Sequence, residues 1–178
     1  MSDTMKKMTL LLPFALVAAI AACPSRAGEP GPEFTPQNGF GGASEGVGSL
    51  TLFLGKPRPF HVDSHGFEQA DGTFRLDQTV TFEGETPEKR FWVLTTISPD
   101  HYTATLSESA GPVTGVTSGS HLSLHYRVKG PLVVHQELDL SPDGKTIDNR
   151  GVITLLGIPV GHLHETITRK SAVLMPNH

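Results

Sequence analysis

An all-β fold, an antiparallel up-and-down barrel of about eight to ten strands, is what this chain predicts. Three observations carry that expectation. From Ser44 onward apolar and polar residues alternate in short runs, the period of half-buried strands. Turn chemistry separates the runs at Asp71-Gly72, Ser98-Pro99-Asp100, Ser118-Gly119, Lys129-Gly130-Pro131, Pro142-Asp143-Gly144 and Gly157-Ile158-Pro159, each favouring a turn for backbone reasons. The turns recur every roughly 8 to 14 residues, which suits successive hairpins. A two-layer sandwich is the alternative, but its Greek key needs longer crossovers. A meander of this strand number removes its edges best by closing on itself.

From the N terminus, the chain opens with a leader. Lys6-Lys7 precede an apolar run that begins at Met8 and ends on Ile20-Ala21-Ala22, directly before Cys23, the only cysteine. The run is too short to span a bilayer, which takes roughly 20 apolar residues. Residues 1–22 read instead as a signal peptide ending in a lipobox. Cys23 is the candidate lipidation site, because an exported protein with one cysteine cannot form an internal disulfide and its thiol needs another purpose such as acylation. The expected location is the bacterial cell envelope, with the protein lipid-anchored and facing the periplasm. Cleavage after Ser25-Arg26-Ala27 is the rival reading and would release a soluble periplasmic protein. Residues 23–43, with Pro30, Pro32 and Pro36 among glycines, read as a flexible tether. Residues 44–170 read as the barrel domain and 171–178 as a C-terminal tail.

In the barrel domain Leu50, Leu52 and Leu54 share one face of a first strand, and Phe74, Leu76, Gln78, Val80 and Phe82 one face of another. Arg90 to Ile97 contains Phe91, Trp92, Val93 and Leu94; apolar on both faces, it reads as covered on both sides. Leu122, Leu124, Tyr126 and Val128 alternate with His121, Ser123, His125 and Arg127, and Leu132, Val134, Gln136, Leu138 and Leu140 with His135, Glu137 and Asp139. These are strands with one wet face. No stretch reads as a helix. An outer-membrane barrel fits poorly, since charged faces stand where lipid would lie.

Charge and motifs narrow the function. The 14 basic and 18 acidic residues give a net charge of −4 and form no basic stripe, so nucleic acid is not an expected partner. Gly42-Ala43-Ser44-Glu45-Gly46 spells a nucleophile elbow, but that motif needs a strand before the serine and a helix after it, and here a strand follows. His162 and His164 share a strand face about 7 Å apart. Glu165 points to the opposite face, so the pair lacks a third ligand and no metal is expected. His61, Asp63 and His65 share a face that Pro57 and Pro59 mark as an edge, which reads as surface chemistry. No catalytic residue and no cofactor is assigned. Gln78, Tyr102, Tyr126 and Gln136 lie on otherwise apolar faces, where each needs a hydrogen-bond partner or a wet cavity. Arg90, Trp92 and Leu94 share a face on which an arginine can hold an anionic head group while an indole packs against an apolar body. Arg90, Trp92, Tyr102, Tyr126, Gln78 and Gln136 are thus the candidate ligand-binding residues. The expected partners are a small hydrophobic or amphipathic molecule and, through lipidated Cys23, a membrane.

Phe40 before a Gly-rich start, Leu76-Asp77, Arg90-x-Trp92, Tyr102 with Gly111 and Gly115, Gly119, Tyr126, Asn149-Arg150 and Gly157-x-x-Val160-Gly161 form an ordered series over Asn38 to Thr168. The series resembles a bacterial lipoprotein family known as domain of unknown function 3833. The resemblance implies a lipocalin-like, calycin-type barrel, often lipid-anchored, with no established activity. Gln78 departs from it, standing where an acidic residue is expected two positions after the leucine. If a carboxylate pairs with the arginine in relatives, Arg90 here is either freer for a ligand or solvated. The function expected is that of an envelope lipoprotein carrying a ligand in a barrel lumen. The alternatives are an assembly factor of the envelope that docks through the barrel rim and a small acid–base enzyme using the lumen.

Overall fold

The computed structural model describes residues 31–128 and 130–170. Ten strands follow one another: β1 (Gly42–Leu52), β2 (Arg58–Glu68), β3 (Phe74–Phe82), β4 (Glu88–Ser98), β5 (His101–Leu106), β6 (Val113–Ser118), β7 (His121–Arg127), β8 (Leu132–Leu140), β9 (Thr146–Leu155) and β10 (Ile158–Arg169). Each pairs antiparallel with the next, and β1 closes on β10 from Ser44 against Arg169 to Leu52 against Gly161. The result is a lipocalin-like up-and-down barrel with no free sheet edge, as the alternation predicts.

Alternation sends one set of side chains inward. Leu76, Leu94, Leu122, Leu138, Ile147 and Ile167 are buried there, while their chain neighbours face water. The turns obey their residues. Asp71 and Asp143 each accept the backbone N–H two positions on, from Thr73 at 3.0 Å and Lys145 at 3.1 Å. Between them stand Gly72 and Gly144 at φ of 82° and 67°, a conformation that costs glycine nothing. Pro159, which has no N–H to give, coincides with the register shift between β9 and β10.

The two ends of the barrel differ. At one end residues 31–41 run across the opening. Pro142 lies beside Gly31, the Phe34 N–H donates to the Gly119 carbonyl at 2.7 Å, and Arg169 donates to the carbonyls of Gln37 and Asn38. A short helix α1 (Pro36–Phe40) forms there, with proline in its first turn and the Thr35 hydroxyl accepting from the Asn38 N–H, a standard N-cap. Phe34 is 2 % exposed and packs edge-on against Phe40, ring centroids 5.5 Å apart. The sequence alone predicts no helix and reads these residues as tether. Over residues 34–41 the structure differs, because two phenylalanines supply apolar surface that a solvated tether would leave in water.

At the opposite end the inward residues are only half-buried, among them Leu52, Val80, Phe82, Val128 and Leu132, so the lumen has a mouth. Two hairpin tips stand beside it, tied by a bond from the Phe53 N–H to the Val160 carbonyl. Phe53 and Leu156 hold positive φ values of 54° and 52° and, with Leu54 and Ile158, expose their side chains. A bulky residue in that backbone region is strained.

Candidate ligand-binding lumen

The barrel encloses a cavity of about 260 Å³. Phe40 forms part of its floor, and leucines, valines and isoleucines make most of its wall. Polar groups interrupt that wall in two linked sets.

The first set lies on β2, β3 and β4, where register places Gln78 opposite both Ser64 and Arg90. The Gln78 carbonyl oxygen accepts from Arg90 Nε at 2.8 Å and from Trp92 Nε1 at 2.9 Å, while its amide donates to Ser64 Oγ at 3.1 Å. One glutamine therefore orients both the arginine and the indole. Arg90 makes no ion pair among the described residues, so the remaining guanidinium N–H groups are free to meet whatever enters the cavity.

The second set runs across β7 to β10. Tyr126 Oη donates to Gln136 Oε1 at 2.8 Å, Gln136 Nε2 to Asn149 Oδ1 at 3.1 Å, and Asn149 Nδ2 to Glu165 Oε2 at 2.9 Å. Every step donates in the same direction, and the chain ends at Glu165. That carboxyl is 4 % exposed, and its Oε1 has no partner. A Cβ at Gly46 would overlap the same oxygen, so glycine there makes the room the carboxyl occupies. Ser44 Oγ, on the same strand, is also buried without a partner. Burial pushes the Glu165 carboxyl upward, against the pull of the Asn149 bond and the Arg90 charge. Burial likewise raises the Tyr126 phenol to about 12, opposed by Arg90, so the phenol remains a donor. The sets meet where Trp92 and Tyr126 pack edge to face, centroids 5.6 Å apart at 87°.

Of the candidate residues, Arg90, Trp92, Tyr126, Gln78 and Gln136 converge on this cavity. Tyr102 does not. It is buried near the plugged end, outside the cavity lining, its hydroxyl directed at the Pro99 carbonyl 3.4 Å away, because the β4–β5 turn offers a nearer acceptor than the lumen. Cys23 lies outside the described residues. Among the described residues no histidine lines the cavity. His61 and Asp63 bond each other on the outer face, and Glu137 holds His121 and His135 there. Glu165 and Asn149 were missed as site residues, although Leu163-x-Glu165-x-Ile167 and Ile147-x-Asn149-x-Gly151 place both on apolar faces.

The family described as "Protein of unknown function (DUF3833)" matches residues 14–169. The chain belongs to that family. No curated protein matches this DUF3833 chain. Among solved structures it is similar in fold to the S-type phycobiliprotein lyase CPES from Guillardia theta, at a TM-score of 0.63 and 10% identity, over 78% of this chain and 92% of that one. A protein of unknown function from the DUF3598 family of Nostoc punctiforme aligns at a TM-score of 0.57 and 13% identity, over 78% of this chain and 50% of that longer one. At such identities the likeness establishes the barrel and nothing finer.

Proposed function

We propose that this DUF3833 protein is an envelope lipoprotein that takes a small hydrophobic or amphipathic molecule into its barrel. One observation carries the reading: an apolar cavity open at a single end whose wall holds the Arg90 guanidinium, without an ion pair among the described residues, and the buried Glu165 carboxyl with one oxygen unpartnered. Desolvated polar groups without partners cost stability, and a ligand that meets them recovers that cost. Ligand pockets have this composition, apolar walls with a few convergent polar groups. The likeness in fold to a phycobiliprotein lyase is compatible with a barrel that handles a small molecule.

The test is to purify the protein from its native envelope and extract the lumen contents for mass spectrometry. A stoichiometric amphiphile is expected, and the neutral fluorophore N-phenyl-1-naphthylamine should displace it with a change in Trp92 emission. Failure of every apolar probe to alter that emission would overturn the reading.

Phe53, Leu54, Leu156 and Ile158 at the mouth favour a second reading, docking of another envelope component on the rim. Serine at these four positions would abolish such docking while leaving the lumen's affinity for the probe unchanged.

A further inference from the structure

Resting on the lumen as a ligand site, we infer that its ligand is an amphiphile with a single anionic head group, held by the free guanidinium N–H groups of Arg90. Three observations support the sign of the charge. Arg90 is permanently cationic, faces the cavity, and bonds only the neutral Gln78 there. Glu165 Oε2 accepts the Asn149 amide, and its Oε1 is buried against Gly46. Burial shifts that carboxyl toward its protonated form. Tyr126 is neutral and its hydroxyl is already given to Gln136. The lumen wall thus presents one positive charge that makes no ion pair among the described residues, surrounded by apolar side chains.

A head group of the complementary kind accepts from that guanidinium. A carboxylate or a phosphate monoester has this chemistry, since charge-assisted bonds from arginine to oxyanions are short and strong. An alkylammonium would lie beside a guanidinium with no acceptor to gain. A neutral alcohol would leave the Arg90 charge without an ionic partner. The alkyl body occupies the remainder of the cavity, against Trp92 and the walls near Phe40.

Trp92 is the only tryptophan, so its emission reads the lumen without a label. The experiment titrates delipidated full-length protein with dodecanoate, dodecyl phosphate, dodecanol and dodecylamine. Dodecanoate or dodecyl phosphate is expected to bind at least about tenfold tighter than dodecanol, the scale of one charge-assisted pair, and the better of the two identifies the head-group class. Arg90→Gln is expected to remove the preference while dodecanol binds as before. Glu165→Gln, at a carboxyl buried against Gly46, is expected to keep it. Equal affinity for dodecanoate, dodecyl phosphate and dodecanol, or tightest binding of dodecylamine, overturns the inference while leaving the lumen a ligand site. A large gain in dodecanoate affinity in Glu165→Gln also overturns it, by showing that Glu165 was ionised. Silence toward all four probes overturns the lumen reading itself. The head-group comparison is made on the unaltered protein, so it stands even if a variant folds poorly.

Discussion

Burial of Glu165 against Gly46 couples its titration to folding. In the unfolded chain this carboxyl titrates near its ordinary value of 4.5, and in the barrel it titrates higher. The folded protein therefore holds the proton more tightly. The group contributes its full stability below 4.5, and that contribution is lost as pH rises from there through the folded-state value. Glu165→Gln removes the titration. Urea unfolding across this pH range is expected to show the variant gaining on the parent as pH increases, and parallel curves would contradict the assignment. Exposed carboxylates such as Asp71 and Asp143, lowered by their hydroxyl and backbone donors, act in the opposite sense but cancel between the two proteins. How much of this was legible residue by residue follows from what alternation can say. The face of Glu165 is fixed by Leu163 and Ile167 on either side, and the sequence reading placed it opposite His162 and His164. Its partner was not readable, because the contact of Gln136 with Asn149 and of Asn149 with Glu165 depends on which strands adjoin and in what register. Gln78, by contrast, was flagged as a departure from its family, and the structure shows it serving as the shared acceptor for Arg90 and Trp92.

At the level of elements, strands declared themselves and the plug did not. Ten strands of period two are long enough to show a pattern, whereas α1 has five residues and no helical period can be read from one turn and a half. Proline and glycine around it point to irregular chain. What the composition hid is that Phe34 and Phe40 anchor that chain to the barrel. Phe34→Ala is expected to cost about 3 to 5 kcal/mol, the range for emptying a buried aromatic site, measured by chemical denaturation; a change below about 1 kcal/mol would show that the segment packs loosely. The β9–β10 turn offers the reverse case. Leu156 and Gly157 both have positive φ, the pattern of a two-residue hairpin turn that favours Asn-Gly. Leu156→Asn is expected to stabilise the barrel by about 1 kcal/mol, the usual relief of left-handed strain, visible as a raised Tm. A lowered Tm would mean that the exposed leucine is held by contacts of its own.

For the whole molecule, closure is the property from which the rest derives. A sheet that ends on its own first strand offers nothing to a neighbouring chain, and it creates an inside whose polarity differs from the surface. The turn spacing was enough to predict closure; whether the interior was filled was not, since that depends on side-chain volumes summed around ten strands. The described histidines lie on the outer wall, where hydrogen bonds to Asp139 and Glu137 raise the His121 imidazole, so its protonation is an event of the surface. The proposed anchoring belongs to this scale too. Cys23→Ser is expected to move the protein from the membrane fraction to the soluble fraction on envelope fractionation and to abolish incorporation of labelled palmitate. An unlabelled, soluble parent protein would favour cleavage after Ala27 instead.

The stopper made by residues 31–41 also bears on how the protein should be cut for study. The alternating pattern alone places the start of the barrel near Ser44, and a truncation trimmed there would discard Phe34 and Phe40. The cup would become a pipe. Solvent would then flood the cavity from below, and such a fragment would report a false absence of binding even where the intact chain holds its cargo.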